Sequence, residues 1–258
     1  MNCRRAFVIF GVIAFSQGAG AQDTGDQLID PKALGLVEKA TEYVAEQGSI
    51  SVSWFVSFDE VIDGREVVTH IRSGDTILAR DVGYYSYAEQ GTDVREYFFD
   101  GTVLSVHLLE RNAYVQLPYW GSFDALAARI AQEFDTALPI WQVLVRDSAD
   151  QLLGEVTSAA YLGTKRIAGR DTHHIAMSTY EYDLQIWLSD EADTPVPVMM
   201  VGTEPYKQGW PQFRVYFQNW NFEPVLNEEL FSYEPDAKAT RLAWPKADRT
   251  VRFDAGGE

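Results

Sequence analysis

The feature of this sequence that most constrains its fold is a run in which apolar and polar residues alternate with a period of two. In SISVSWFVSFDEVI, residues 49–62, apolar side chains occupy every second position, mostly with serines or an aspartate between them. Successive side chains of a β-strand point to opposite faces, so the run predicts a long strand with one apolar face. Similar runs recur downstream, mostly without helices between them, which favours an antiparallel meander over βαβ units.

Turn residues separate these runs. Asp100-Gly101 lies between EYFF and TVLSV and is the strongest hairpin signal in the chain. Ser73-Gly74-Asp75 predicts another turn, after a strand at 67–71 and before one that begins at Thr76. The later strands are expected at 155–161, 171–180, 184–188, 196–202 and 212–220.

Three segments have helical periodicity instead. The first, DPKALGLVEKATEYVAEQGS, offers Asp30 as its N-cap and Gly48 as a left-handed residue at its C-terminal end. The second, SFDALAARIAQEFD, carries one apolar stripe and has Ser122 as its cap. A short third helix is expected to begin at Pro139. The chain is therefore predicted to be mostly β with a few helices, and the lack of a linker or repeat in the sequence predicts one domain.

Residues 1–21 differ from the rest and predict a secretory signal peptide. Arg4 and Arg5 precede a short apolar run, and Ala19-Gly20-Ala21 is typical of a cleavage site. We therefore expect the mature domain to comprise residues 22–258. The one cysteine, Cys3, precedes the apolar run instead of following it, so a lipid anchor is not expected.

The charge of the chain argues against nucleic acid as a partner. The formal charge is -17, and loss of two arginines with the leader makes it -19. Such an acidic protein repels phosphate backbones and anionic membrane surfaces. The expected protein is a periplasmic monomer without a lipid anchor.

His173 and His174, two of the four histidines, lie side by side and raise the question of a metal site. In a strand, neighbouring side chains point to opposite faces, so the pair cannot converge on one ion. Neither HExxH nor CxxC occurs in the sequence. We expect no metal, with one histidine facing inward and hydrogen-bonded and the other outward, and we predict that His174 is the inward one.

Catalytic motifs are also missing from the sequence. It contains no GxSxG, no Gly-rich phosphate loop and no dinucleotide fingerprint. Glu181 and Asp183 would share a face of a strand, but charged strand residues are usually solvated. The sequence therefore predicts no enzyme and no cofactor.

Several longer motifs carry a resemblance. YLGTKRIAGRDTHHIAM and DLQIWL, together with LPIWQVLV and FRVYFQNWNF, resemble an uncharacterised bacterial family of predicted periplasmic proteins, a domain of unknown function. That family is similar in fold to the lipoprotein carrier LolA, the receptor LolB and mycobacterial lipid-carrying lipoproteins. The resemblance implies an antiparallel half-barrel of about eleven strands wrapped around helices that cover an apolar cavity.

One position departs from the family pattern. Family members tend to carry an Arg-Pro element where this chain has LARDVGYYSY, without a proline. Arg80 is thus only a candidate for the exposed arginine with which LolA holds its lid shut.

The apolar and aromatic residues then suggest a binding site. A curved sheet covered by short helices often leaves room for a hydrophobic ligand. The residues predicted to line such a cavity lie on the first and last long strands and on the middle helices: Ile50, Val52, Trp54, Val56, Phe58, Leu126, Ile130, Phe134, Trp141, Phe213, Val215 and Phe217.

Two functions fit this interpretation. The favoured one is a periplasmic carrier or sensor for an acyl chain, lipid or lipoprotein, with transient contacts to envelope proteins. The alternative is a non-catalytic interaction or structural module whose half-barrel is filled by its own side chains.

Overall fold

A computed structural model describes residues 28–134 and 136–244; the predicted signal peptide lies outside them. The described residues form four α-helices: α1 (Pro31–Glu46), α2 (Phe123–Glu133), α3 (Trp141–Leu144) and α4 (Ser148–Leu153). The strands are β1 (Ser49–Ile62), β2 (Glu66–Ala79), β3 (Gly83–Gln90), β4 (Asp93–Phe99), β5 (Val103–Leu108), β6 (Ala113–Pro118), β7 (Ser158–Ile167), β8 (Arg170–Ser178), β9 (Asp183–Ser189), β10 (Pro197–Thr203), β11 (Gln212–Asn221) and β12 (Thr240–Arg241). Two 3₁₀ turns lie at Leu109–Arg111 and Glu228–Phe231.

The strands form one open sheet in the order β12-β6-β5-β4-β3-β2-β1-β11-β10-β9-β8-β7. Each neighbouring pair is antiparallel apart from the two-residue β12, which runs parallel to β6. At the other edge, Ile29 forms a parallel bridge to Ala159 of β7. Short segments thus cover both edges, which limits pairing with other chains. The prediction of a mostly β, antiparallel half-barrel of about eleven strands is confirmed.

The period-two run forms β1, at the centre of the sheet. It pairs with β2 along its whole length, from Ser49 to Ile62, and with β11 on its other side. Ile50, Val52 and Trp54 are at most 3% exposed and point to the face that the helices cover. We call this the helix-covered face, and the opposite one the open face.

Side chains on the helix-covered face form two core clusters. The larger one joins β1–β5 and β11 to α2 and α3 and includes Trp54, Leu126 and Phe217. The smaller one packs α1 against β7, β8 and β9 and includes Val37, Ile175 and Ile186. Met200 packs against both clusters.

The turn predicted at Ser73-Gly74-Asp75 was wrong. Ser73-Gly74-Asp75 continues β2, where Gly74 pairs with Trp54 on one side and Ala88 on the other. A Cβ at Gly74 would lie 2.0 Å from the carbonyl oxygen of Tyr87 and 2.6 Å from the Trp54 ring. The glycine therefore serves close packing within a strand, not a turn.

Gly48 also differs from expectation. It is not among the residues with positive φ, and α1 instead ends at Gln47, with φ -68°, whose backbone N–H donates to the Val44 carbonyl. The Asp30 cap is confirmed by a 2.9 Å hydrogen bond from the Lys32 N–H, as is the Asp100-Gly101 hairpin between β4 and β5. The third helix begins at Trp141 and not at Pro139.

Candidate functional site: a cavity beneath the helices

A cavity of about 610 Å³ lies where the two core clusters meet. All four helices contribute to its wall, and β9 and β10 form its floor. Pockets that hold small molecules usually measure about 300–1,000 Å³. The cavity is therefore large enough for one small ligand or one chain of a larger one.

Helix α1 supplies one wall through its buried stripe. Val37, Ala40 and Val44 line the cavity and are at most 2% exposed. They fall at helical spacing on one face because the Asp30 cap starts the helix immediately before the stripe. Thr41 also lines the cavity, and its hydroxyl donates to the Val37 carbonyl at 2.9 Å. This wall is therefore nearly apolar.

Helix α2 divides its residues between the core and the cavity. Leu126, Ala127 and Ile130 are at most 1% exposed and belong to the larger core cluster. Ala128 and Ala131, on the adjacent side of the helix, line the cavity. Alanines fill little of the space between the helix and the sheet, so their small size helps to keep the cavity open.

The short helices α3 and α4 complete the cover. Trp141, Val143 and Leu152 give apolar surface to the cavity. Ile140, just before α3, has φ +47°, a conformation rare for a β-branched residue. The chain thus changes direction at Ile140, directly before Trp141, which lines the cavity and packs against the larger cluster.

The floor comes from strands at the end of the sheet away from β12. Ile186 and Leu188 of β9 are 2% exposed, and Pro197 and Met200 of β10 lie beside them. Ile186 pairs with Met200 across the two strands. The floor is therefore a continuous apolar surface.

Three glutamines in the wall of the cavity are exposed residues. The side chains of Gln132, Gln142 and Gln151 line the cavity and belong to exposed residues of α2, α3 and α4. Gln151 Nε2 donates to Asp147 at 2.8 Å. Among the described residues, Glu155 is the one charged residue of the lining. The cavity thus combines an apolar interior with a polar, slightly acidic rim.

Arg80 connects two of the helices that cover the cavity. Its Nε donates to the Gln47 carbonyl at 2.8 Å, and its Nη2 to the Val44 carbonyl at 3.1 Å. Its Nη1 lies 3.7 Å from Oδ1 of Asp124, in the first turn of α2. Burial lowers the pKa of the guanidinium from its ordinary value, and the Asp124 carboxylate opposes that shift. The residue is buried, not exposed, and links the end of α1 to the start of α2.

The structure brings most of the predicted cavity residues together, but mainly in the packed core. Ile50, Val52, Trp54, Leu126, Ile130 and Phe217 lie inside the larger cluster, and Val56, Phe134, Trp141 and Val215 pack against it. Phe213 packs against the smaller cluster, and Phe58 stacks on His70 with ring centres 5.3 Å apart. Of these residues, Trp141 lines the cavity in the described part of the chain.

Sequence reasoning missed the α1 stripe and β9 as cavity residues. The periodic pattern of the sequence identified the apolar face of each element. It does not show whether such a face packs against another side chain or borders a cavity. The available signal was the run of small residues on α2, Ala127-Ala128 and Ala131, beside exposed glutamines on short helices.

The two histidines lie on opposite faces, as predicted, but with the sides reversed. His173 pairs with Leu188 and shares a face with Ile175, which belongs to the smaller core cluster. It contacts Tyr161 at 2.9 Å and Asp190 at 2.8 Å. The prediction that His174 faces inward was wrong, because this strand places Ile175, and not His174, over the core.

His174 lies on the open face, stacked on Trp187 with ring centres 4.2 Å apart. Burial lowers its pKa from the ordinary value, and a hydrogen bond to Gln185 opposes this shift. No group of three or more His, Cys, Asp or Glu side chains within 28–134 and 136–244 is arranged to hold a metal ion. Glu181 lies in the turn between β8 and β9, so it does not share a strand face with Asp183.

An open antiparallel half-barrel with a helix-covered apolar cavity is the architecture that these features define. Residues 33–243 match the family described as predicted periplasmic protein (DUF2092). The chain belongs to this family, which confirms the resemblance seen in its motifs. A comparison with curated protein sequences gives no match.

Solved structures similar to this chain include two mycobacterial proteins and a LolA superfamily member. LprF from Mycobacterium bovis is 14% identical, with a TM-score of 0.49, covering 77% of this chain and 96% of its own. Lipoprotein LppX from Mycobacterium tuberculosis is 16% identical, with a TM-score of 0.40, covering 76% and 98%. The LolA superfamily protein from Nitrosomonas europaea is 12% identical, with a TM-score of 0.38, covering 78% and 97%.

Among the residues with described structure, none of the helices combines the length and apolar character needed to cross a bilayer.

Proposed function

We propose that this protein is a periplasmic, non-catalytic binding protein that carries or senses a hydrophobic ligand, either a lipid or the acyl chain of a lipoprotein. The observation that carries the proposal is the cavity of about 610 Å³ with apolar walls from α1 and α2 and an apolar floor from β9 and β10. Each methylene moved from water into such a site contributes about 0.8 kcal/mol. A single alkyl chain would therefore bind without any catalytic group.

The cover of the cavity supports a carrier in particular. Its wall comes from four separate helices, of which α3 and α4 are short, and α1 and α2 are joined at one end through Arg80. A ligand enters if these helices separate, while the sheet beneath them is held by continuous ladders. In this proposal the sheet stays rigid, and the helices move when a ligand enters.

The second candidate is an interaction module with a filled core. It is favoured by the position of Ile50, Trp54 and Phe217, which are at most 3% exposed and occupy the half-barrel themselves. Large side chains also stand on loops at one end of the sheet: Tyr180 is 80% exposed, Tyr206 84% and Trp210 69%. Exposed aromatic residues of this kind are frequent in protein interfaces.

A matched pair of substitutions on α2 separates the two functions. Ala131 lines the cavity, whereas Ala127, one turn earlier, is 1% exposed in the core. Ala131→Phe should fill the cavity, change the free energy of unfolding by less than about 1 kcal/mol and abolish binding of a neutral hydrophobic dye such as N-phenyl-1-naphthylamine. Ala127→Phe should destabilise the protein by about 1–3 kcal/mol through overpacking.

Dye titration and urea unfolding on both variants and the wild type give the answer. A wild type that binds no dye, together with equal destabilisation by the two substitutions, would reject the carrier and favour the interaction module. Dye binding by the wild type that survives in Ala127→Phe and is lost in Ala131→Phe supports the cavity as the site.

Export and assembly belong to the same proposal. We propose a secreted, monomeric single domain, released from its leader near Gln22, that makes transient contacts with envelope proteins. The Arg4-Arg5 start and the Ala19-Gly20-Ala21 segment support export. N-terminal sequencing of periplasmic protein that still began with Met1 would contradict it.

A further inference from the structure

The charges around the cavity bear on which ligand it takes. Glu155 is the charged residue of the lining among the described residues, and it is exposed at the rim. Asp147 and Asp150 stand nearby in and before α4, and the whole chain carries a formal charge of -17. The mouth therefore has a negative potential.

Four cations on or beside the helices are engaged elsewhere. Arg80 bonds to the carbonyls that end α1, Arg129 pairs with Glu133 at 3.0 Å and Arg146 lies 3.6 Å from Asp124. Lys39, on α1, donates to the carbonyl oxygen of Ala192 at 2.9 Å. None of these four residues lines the cavity in the described part of the chain, so an anionic head group there would lack a partner.

Apart from Glu155, the polar residues that line the cavity are neutral. Gln132 and Gln142 present amides that both donate and accept hydrogen bonds. Such groups satisfy an ester, amide or hydroxyl head. They do not offset the cost of bringing a carboxylate or phosphate beside Glu155, because like charges at close range repel by about 1 kcal/mol even in water.

We infer that the ligand is an amphiphile with an alkyl tail and a neutral hydrogen-bonding head, and that among charged heads the site prefers cations to anions. The tail lies against Val37, Ile186 and Leu188, and the head lies at the glutamine-rich rim near Glu155. This inference rests on the proposed function, and it adds the class of head group that the site accepts.

The test uses three amphiphiles that share a dodecyl-length tail. Monododecanoylglycerol is neutral, dodecyltrimethylammonium is cationic and dodecanoate is anionic at neutral pH. Each displaces the bound neutral dye in competition titrations below its micelle concentration. We expect the neutral and cationic compounds to bind at least about fivefold more tightly than dodecanoate, and we expect added salt to reduce the difference between the two charged compounds.

Variants of Glu155 provide the control. Glu155→Gln should reduce the preference for the cation over the anion, and Glu155→Lys should reverse it, where the preference is the ratio of the two affinities measured on the same variant. Melting temperatures equal to that of the wild type verify that both variants fold.

The outcomes separate the inference from the proposed function. If dodecanoate binds as tightly as the glycerol ester, or if Glu155→Lys leaves the order of charged heads unchanged, the inference is wrong although the cavity still binds lipids. If the wild type binds neither dye nor any of the three amphiphiles, the proposed function itself fails.

Discussion

Arg80 and Gln47 form the contact that ends α1: the Arg80 Nε donates to the Gln47 carbonyl oxygen at 2.8 Å. The last carbonyl groups of a helix lack partners within the helix, and a positive group near them is favourable. Arg80 supplies both, with a second bond to Val44. A buried arginine therefore takes the place of the left-handed glycine that the sequence suggested.

Removing this arginine should destabilise the protein strongly. Arg80→Met removes the side-chain donor to the Gln47 carbonyl, one of the two donors to the Val44 carbonyl and one of the two arginines beside Asp124. We therefore expect a loss of about 3 kcal/mol in the free energy of unfolding. Urea denaturation measures it. Arg129→Met is the control, because the exposed Arg129–Glu133 pair should contribute less than about 0.5 kcal/mol. Similar small losses in both variants would show that Arg80 does not hold the cover.

One substitution, glycine to alanine, should have opposite effects at two positions. At Gly74 the new Cβ would lie 2.0 Å from the Tyr87 carbonyl oxygen, and we expect a loss of about 2–3 kcal/mol. At Gly35, an exposed residue in α1, nothing lies within 4 Å, so alanine should stabilise the protein by about 0.5–1 kcal/mol through helix propensity. Thermal and urea unfolding test both, and a stable Gly74→Ala variant would contradict the close β2–β3 packing.

His174 should make stability depend on pH. Burial against Trp187 holds its pKa below the ordinary value, so the unfolded chain takes up a proton at higher pH than the folded chain. The free energy of unfolding should therefore fall as pH drops below about 6.5, until the folded-state pKa is passed. His174→Phe keeps a ring on Trp187 but cannot titrate.

The comparison that isolates this effect is the difference between the wild type and His174→Phe. Urea unfolding between about pH 7.5 and pH 5.5 should show the wild type losing more stability than the variant, since other groups titrate alike in both. An equal loss in the two proteins would mean that His174 is not buried as described.

Local pattern predicted the elements that depend on neighbouring residues. The cap at Asp30, the alternation from Ile50 to Phe58 and the Asp100-Gly101 hairpin each follow from a few adjacent positions. The turn prediction at Gly74 was wrong because glycine between serine and aspartate is typical of a turn. In the structure a glycine is needed there because the neighbouring strand and the Trp54 ring leave no room for a Cβ. A contact with another segment cannot be predicted from the residues of one segment alone.

The site was less predictable than the fold for a related reason. The alternating pattern shows which side chains of β1 and β11 face the helices. Whether these side chains are packed or border a cavity depends on contacts between elements that are distant in the chain. Trp54 meets Thr76 through a 2.9 Å hydrogen bond and is buried. Ile186 packs with α1 in the smaller cluster, but the cavity lies between it and the alanines of α2. Only the arrangement of the helices distinguishes the two.

Native mass spectrometry of protein purified from bacterial periplasm tests the central claim most directly. We predict that the wild type carries the added mass of one amphiphile, which is released on unfolding, and that Ala131→Phe purified in the same way does not carry it. A wild type that shows only the mass of its own chain, even after incubation with monododecanoylglycerol, would contradict the claim that this half-barrel holds a hydrophobic ligand.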